Sequence, residues 1–137
     1  MKFRNEFWFL SNMYPCSITY KGITYPCVET AFQAQKDESR SAEFIGLDGF
    51  NAKKLGRRVN LRTDWNAVRV SIMKELVACK FEQHPELADR LASVKGIIAE
   101  ENTWHDTFWG VCDGKGRNEL GNILMQIRKE ITSCQRK

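Results

Sequence analysis

Residues 16–36, CSITYKGITYPCVETAFQAQK, contain the pattern of two short strands followed by a helix. β-Branched and aromatic residues alternate on both sides of Lys21-Gly22, which predicts a short hairpin. Pro26 should end the second strand, and a helix is expected to begin near Cys27. The stretch therefore predicts a small antiparallel sheet that leads directly into a helix.

This predicted helix has two different faces. At 100° per residue, one face is apolar for most of its length, and a neighbouring face carries Glu29, Gln33 and Lys36. Glu29 and Lys36 lie two turns apart, about 10 Å along the axis, which is too far for a tight pair. Two interpretations remain open, because this polar face is either solvated or one wall of a pocket. The apolar face consists of Val28, Ala31, Phe32 and Gln35.

Helical patterns dominate the rest of the chain. A helix is expected at about 39–45, another follows a cap at Asp48, and the longest covers about 64–82 after a cap at Thr63 or Asp64. The apolar positions of that longest helix form one face, which consists of Trp65, Val68, Ile72, Leu76 and Cys79.

Two more helices and one strand are expected after residue 84. Pro85 suits the first turn of a helix that ends near Val94, and GIIAE at 96–100 is predicted to be a short strand. The fold class is therefore α+β, a mainly helical single domain of residues 1–137 with a small antiparallel sheet. The apolar face of the last helix consists of Leu120, Ile123, Leu124, Ile127 and Ile131.

Composition excludes several classes of function. The chain has 137 residues, the size of one domain, and a net charge of +4, a mild preference for anionic partners. Five cysteines without a CxxC pair and two scattered histidines favour neither a disulfide framework nor a metal site. The apolar run 7–10 is too short for a membrane span or a signal peptide. We expect a cytoplasmic protein with reduced thiols, without a metal or cofactor.

An aromatic loop and a basic segment are candidates for ligand binding. In WHDTFWG, Asp106 precedes Trp109 by three residues, so a carboxylate lies near aromatic rings that can stack on a flat base. In LGRRVNLRTDW, three arginines that could grip a phosphate precede Trp65. The alternative for both segments is structural, with the aromatic rings serving as anchors in the core. The arginines are Arg57, Arg58 and Arg62.

Common catalytic motifs are missing from the sequence. GKGRNELG has neither the spacing of a P-loop nor that of a dinucleotide fold, although a helix that starts at Asn118 could offer N–H groups to an anion. No Ser-His-Asp or Cys-His arrangement is apparent along the chain, but residues that are distant in sequence can still meet in space.

The separate signals occur in an order that resembles one family. FLSNMYPCSITYKGITYPCVETAFQAQK, RTDW, M-x6-KFEQHPEL, DTFWG and GRNELGNILMQIR follow one another over Phe9 to Arg128 as in the NADAR family. The resemblance implies hydrolysis of N-glycosidic bonds. It also implies one of two substrate classes, which are phosphorylated early riboflavin-pathway intermediates and ADP-ribose attached to guanine of nucleic acid.

The resemblance also assigns site residues. Glu29 and Asp106 match the family's carboxylates, one of which would stabilise the charged sugar and activate water. Thr30 departs from the family, which often has histidine there. The resemblance implies that both carboxylates face one cleft with Trp109. The expected substrate-binding residues are Asn12, Lys36, Trp65, Trp109, Arg57, Arg58 and Arg62.

The expected partner is a small phosphorylated ribosyl or ADP-ribosyl compound, with ADP-ribosylated DNA as a further candidate. Neither a membrane nor an obligate protein partner is expected. The alternative from another class is a module that binds ADP-ribose or NAD without cleaving it. Two carboxylates beside an anion disfavour this alternative, because a pure binder gains nothing from them.

Overall fold

The computed structural model describes residues 1–135 of the chain. Two compact units are present, one formed by Asn12–Gln83 and the other by Met1–Ser11 together with the chain from His84 onward. The expected single domain of residues 1–137 therefore remains a prediction. The α+β fold class, mainly helical with a small antiparallel sheet, is confirmed.

The unit Asn12–Gln83 contains the hairpin and most of the predicted site residues. The elements in chain order are β1 (Ile18–Tyr20), β2 (Ile23–Tyr25), α1 (Val28–Ala34), a 3-10 helix (Glu38–Phe44), α2 (Gly49–Gly56) and α3 (Trp65–Gln83). The short helix α1 contacts α2, α3 and β2, so it is enclosed by the rest of the unit.

The hairpin forms as predicted. Ile18 pairs with Tyr25 and Tyr20 with Ile23 in antiparallel register. The two turn residues, Lys21 and Gly22, have φ angles of 50° and 80°. Positive φ at both central positions is what a type I′ turn needs, and its twist matches that of the two strands.

The predicted helix boundaries are close to those observed, with informative differences. Asp48 caps α2, because its side chain accepts a hydrogen bond from the backbone N–H of Asn51. α2 ends at Gly56, so Arg57 and Arg58 follow the helix rather than extend it. The stretch predicted at 39–45 is a 3-10 helix.

The buried face of α3 is wider than the predicted apolar stripe. Val68 and Cys79 are only half-buried, whereas the charged Lys80 is 1% exposed. The helix packs against both β1 and α1, so a single stripe cannot cover its contacts. The buried residues of α3 are Trp65, Ile72, Met73, Leu76, Val77, Lys80 and Phe81.

The second unit combines a terminal segment with two packed helices. A 3-10 helix covers Asn5–Leu10, a segment for which the sequence predicted no helix. α4 (Pro85–Ser93) begins with proline in its first turn, as expected, and packs against α5 (Glu119–Gln135). The apolar face of α5 is buried from Leu120 to Ile127, and Ile131 is half-buried. None of the helices in residues 1–135 has the length and apolar character that a membrane span requires.

The prediction of a strand at 96–100 is wrong. This segment forms no strand, because its backbone groups bind side chains, the chain terminus and a single residue of the later loop, Val111, whose N–H donates to the Glu100 carbonyl at 2.8 Å. The Asn118 amide donates to the Ile98 carbonyl at 2.9 Å and accepts from the Glu100 N–H at 3.0 Å. The terminal ammonium of Met1 donates to the Ala99 carbonyl at 3.0 Å. A short apolar run such as the one at 97–99 cannot distinguish such a tethered segment from a strand.

Candidate active site

A stripe of small residues brings α2 unusually close to α1. Gly49, Ala52 and Gly56 are spaced i, i+3, i+7 and therefore lie on one face of α2. A Cβ at position 49 would press on the Met13 sulfur and lie 3.3 Å from the Cβ of Glu29. A Cβ at position 56 would lie 3.0 Å from Cδ of Gln33. The backbone of α2 therefore covers the two polar side chains of α1 directly.

Glu29 is a buried carboxylate with a defined orientation. Its side chain is 7% exposed, and Nε2 of Gln33, one turn later, donates a hydrogen bond to its Oε1 at 2.8 Å. Its backbone N–H donates to the Asn12 carbonyl at 3.0 Å, which ties the predicted Asn12 to the start of α1. The solvated alternative for this face of the helix is thereby excluded.

Lys36 lies in the turn that follows α1, where its backbone N–H donates to the Gln33 carbonyl at 3.2 Å. Its Nζ is 5.8 Å from the ring centroid of Trp65, and the Trp65 ring packs against Phe32 with centroids 4.9 Å apart. Burial lowers the pKa of Lys36, the Glu29 carboxylate raises it, and the charges of Arg57 and Lys53 lower it further. Lys36 is therefore within electrostatic range of the Glu29 carboxylate and of two further cations, Arg57 and Lys53.

These three cations form no ion pair with an acidic side chain in the described residues. Within residues 1–135, no ion pair involves Lys36, Lys53 or Arg57. Mutual repulsion of unpaired cations is unfavourable, so this cluster suits a multiply charged anion. Sequence reasoning missed Lys53. Its spacing within α2 places it beside Gly49 and Gly56, but only the contact with α1 brings it near Lys36.

Arg62 differs from the other two predicted arginines. It forms a bidentate pair with Asp64, with Nε at 2.6 Å and Nη2 at 3.1 Å, and lies 3.8 Å from Glu38. Its backbone N–H donates to the Lys36 carbonyl at 3.0 Å, so it anchors the loop after α2 to the end of α1. Arg57 and Arg58 are exposed in that loop. The role of all three in substrate binding remains a prediction.

Asp106 organises its own loop. Its Oδ1 accepts hydrogen bonds from the backbone N–H groups of Phe108 at 3.1 Å and Trp109 at 2.9 Å. The Asn102 side chain donates to the Asp106 carbonyl at 2.9 Å and accepts from its N–H at 3.1 Å. The rings of Phe108 and Trp109 meet edge to face, 4.8 Å apart. A carboxylate in this arrangement fixes the turn that carries both rings.

The second unit also holds a contact that the sequence did not reveal. Sγ of the buried Cys112 lies 3.7 Å from Nδ1 of His105, seven residues earlier. Positive φ angles at His105 and at Gly114 mark the turns that fold this loop back on itself. Two shallow surface depressions of this unit meet at Val94 and Lys95, and neither is lined by a predicted site residue. In residues 1–135, no cluster of three His, Cys, Asp or Glu side chains could hold a metal ion.

The predicted site residues fall in both compact units. Asn12, Glu29, Lys36 and Trp65 belong to the unit 12–83, as do Arg57, Arg58 and Arg62, and the structure brings Asn12, Glu29, Lys36, Trp65 and Arg57 together there. Asp106 and Trp109 belong to the other unit. The expectation that Glu29 and Asp106 face one cleft remains a prediction.

Sequence comparison identifies the family. The structure defines the class of this protein as an α+β fold in which a buried glutamate lies near several cations. The family model of the NADAR domain matches residues 2–132, so this chain belongs to the NADAR family. The resemblance seen in the sequence is thereby confirmed.

Similar proteins come from bacteria and plants. N-glycosidase YbiA of Escherichia coli is 35% identical over 127 residues, which cover 88% of this chain and 79% of YbiA. A riboflavin biosynthesis protein of Vibrio vulnificus is 42% identical over 129 residues, which cover 90% of this chain but 35% of that protein. The chloroplastic riboflavin biosynthesis protein PYRR of maize is 32% identical, with 20% of its length covered. This chain thus spans only a minor part of the two riboflavin biosynthesis proteins.

A solved structure supports the fold. The NMR structure of the E. coli protein YbiA is similar to this chain with a TM-score of 0.86 at 31% identity. The similarity covers 100% of this chain and 87% of that one. The fold is therefore that of YbiA.

Proposed function

We propose that this protein is an N-glycosidase that hydrolyses the C–N bond between a phosphorylated ribose and a nitrogen base. The observation that carries the proposal is the buried, oriented carboxylate of Glu29 beside the cluster of Lys36, Lys53 and Arg57. Membership of the NADAR family supports it, as does the similarity to proteins named N-glycosidase YbiA.

The chemistry follows from the charges that develop as the bond breaks. The ribose ring becomes positively charged as the base leaves with the electron pair of the C–N bond. A carboxylate at this point stabilises the cation and accepts a proton from water, whose oxygen then bonds to the anomeric carbon. The departing base takes up a proton. Glu29 is suited to this role because Gln33 restricts the carboxylate to one orientation.

The cations are suited to the phosphate of the substrate. Lys36, Lys53 and Arg57 are free of ion pairs within residues 1–135, so they need not release an acidic side chain before they bind an anion. A phosphate held there would fix the sugar against Glu29 and thereby lower the entropic part of the barrier. The lowered pKa of Lys36 would return towards its ordinary value once an anion is bound.

A phosphorylated ribosylated pyrimidine of the riboflavin pathway is the substrate we propose first. Two of the similar proteins are named as riboflavin biosynthesis proteins, which supports this choice. ADP-ribose attached to guanine of DNA is the second candidate. The exposed Arg57 and Arg58 favour it, because a longer polyanion would reach them.

The test is incubation of the purified protein with each of the two substrates, followed by chromatographic detection of the released base. We expect one of them to be cleaved, and we expect Glu29→Gln to reduce turnover by about a thousandfold, since the amide cannot accept the proton. Glu43→Gln is the matched control, because Glu43 is exposed in the same unit and pairs only with Arg40.

The non-catalytic alternative gives a different result. A binding module would show heat of binding with ADP-ribose in calorimetry and no release of base from either substrate. Such a result, with Glu29→Gln leaving affinity unchanged, would contradict the proposed hydrolysis.

A further inference from the structure

The buried side chain of Gln33 contacts the carboxylate of Glu29. Its side chain is 6% exposed, and Nε2 donates to Oε1 of Glu29 at 2.8 Å. Both residues lie on α1, one turn apart, beneath the backbone of α2. Gln33 is therefore in direct contact with the carboxylate to which we assign the chemistry.

The chemistry of the pair determines which way the amide points. An ionised carboxylate only accepts hydrogen bonds, so the NH2 group of Gln33 must face Glu29. The reverse orientation would place two oxygens against each other unless Glu29 carried a proton. The orientation with the NH2 group towards Glu29 is the one that ionised Glu29, the form that can act as a base, requires.

The oxygen atom of the Gln33 amide lowers the stability of the fold. Oε1 of Gln33 is buried, and no group in residues 1–135 donates a hydrogen bond to it. A buried acceptor without a donor costs roughly 1–3 kcal/mol. An apolar side chain of the same length would avoid that cost, so stability does not account for glutamine at this position.

Gly56 supplies the space that the amide occupies. A Cβ at position 56 would overlap Oε1 of Gln33, and it would lie 3.0 Å from Cδ and 3.5 Å from Cβ of the same side chain. Gly56 is in α2, and its φ is not in the left-handed region, so the backbone itself would accept alanine. The steric constraint at Gly56 is therefore the Gln33 side chain.

We propose that Gln33 is a positioning residue that orients the ionised Glu29 carboxylate for catalysis, and that Gly56 keeps the Gln33 amide in contact with it. This inference rests on the proposed role of Glu29. A hydrogen bond donated to a carboxylate favours its charged form, so Gln33 also keeps Glu29 ready to accept a proton.

The first variant is Gln33→Met, which keeps the length and burial of the side chain but cannot donate to Glu29. We expect kcat to fall about tenfold with KM changed less than twofold, because the phosphate contacts of the substrate are untouched. The acidic limb of the kcat–pH profile should move up by about one pH unit. Circular dichroism checks that the variant is folded.

The second variant is Gly56→Ala, with Gly46→Ala as the matched control, since a Cβ at Gly46 meets nothing within 4 Å. Gly56→Ala should also lower kcat about tenfold, and Gly46→Ala should leave it unchanged. In the Gln33→Met background, Gly56→Ala should add less than twofold, because the side chain that it displaces no longer holds the carboxylate. Full additivity of the two changes would contradict the proposed link.

A readout that does not need activity separates this inference from the proposed function. Carboxyl ¹³C NMR of glutamate-labelled protein measures the pKa of Glu29, whose signal is assigned by its loss in Glu29→Gln. We expect Gln33→Met to raise this pKa by about one unit. If the folded variant shows unchanged kcat and an unchanged Glu29 pKa, the inference is wrong. If the wild type cleaves neither substrate but the pKa moves, the proposed function fails and the contact between Gln33 and Glu29 stands.

Discussion

The two predicted catalytic carboxylates are held in different ways. Glu29 lies in a helix and receives its hydrogen bond from the side chain of Gln33, under the cover of a neighbouring helix. Asp106 lies in a loop and receives its hydrogen bonds from the backbone of Phe108 and Trp109. The orientation of Glu29 thus depends on the packing of α1 against α2, whereas that of Asp106 depends on residues two and three positions away.

This difference suggests a division of roles. A carboxylate whose oxygen accepts two backbone N–H groups is an acceptor within its own turn, and removing it would release the loop. Glu29 instead receives a hydrogen bond from the Gln33 side chain, beneath the backbone of α2. We therefore expect Glu29 to act in the chemistry, and Asp106 to act through the loop that carries Trp109.

Substitution of Asp106 tests the role that we assign to its loop. Asp106→Ala leaves two N–H groups without their acceptor, so we expect a loss of about 2 kcal/mol in unfolding free energy and roughly a hundredfold loss of turnover. Asp106→Asn keeps an oxygen acceptor and should retain most of both. Urea denaturation and turnover measurements check the pair of variants. If Asn is as inactive as Ala, the carboxylate itself takes part in the reaction.

Lys80 allows a test of the unit that holds Glu29. Burial lowers the pKa of this side chain to about 8, below the ordinary value of 10.5. Between these values the unfolded chain binds more protons than the folded one, so Lys80 contributes stability that rises from pH 8 to 10.5 and is absent below pH 8. We expect the rise to be about 3 kcal/mol, since one pKa unit corresponds to about 1.4 kcal/mol.

Lys80→Met provides the comparison, because other groups of the protein also titrate in this range. The pH-dependent gain in unfolding free energy should be smaller in Lys80→Met than in the wild type, and the variant should be more stable at pH 7. Urea titrations at several pH values measure both. Parallel pH profiles of the two proteins would show that Lys80 is not responsible.

Removal of a cation should affect binding more than chemistry. Lys36→Met is expected to raise KM about tenfold with kcat changed little, and to weaken the salt dependence of KM. Lys54→Met is the matched control, since Lys54 is an exposed lysine of α2. Steady-state kinetics at two salt concentrations measure the effect. Equal effects of the two variants would argue against a specific anion site at Lys36.

Loss of the cap of α2 should have the smallest effect. Asp48→Ala removes the acceptor for the Asn51 N–H, which should cost about 1 kcal/mol of unfolding free energy. α2 carries Gly49 and Gly56, so weaker helix formation loosens the cover over Glu29. We expect kcat to fall about twofold. Asp48→Asn should restore both values, because asparagine is an equally good cap.

Local chemistry explains which parts of the fold were predictable. The Lys21-Gly22 turn, the Asp48 cap and Pro85 in the first turn of α4 each depend on neighbours within a few residues, and all three form as expected. The prediction of a strand at 96–100 was wrong for the opposite reason. The partners of this segment are Met1, Val111 and Asn118, which no pattern of neighbouring residues identifies.

Sequence reasoning named candidate site residues but not their contacts. Spacing placed Glu29, Gln33 and Lys36 on one helix face; the structure agrees for Glu29 and Gln33, whereas α1 ends at Ala34, before Lys36. Spacing could not show that this face is buried, because burial comes from α2. It could not select Lys53 either, nor reveal the contact between Cys112 and His105.

The sequence by itself determined the elements of this protein: the hairpin, the helix that carries Glu29, and the order of motifs that places the chain in the NADAR family. Only the tertiary structure decided that α2 covers Glu29 and Gln33, and that Lys53 and Arg57 act on Lys36. The physical reason is the separation along the chain between the residues that interact. Turns, caps and helix faces depend on neighbours within about four residues, whereas burial and charge depend on segments that meet only in the folded chain.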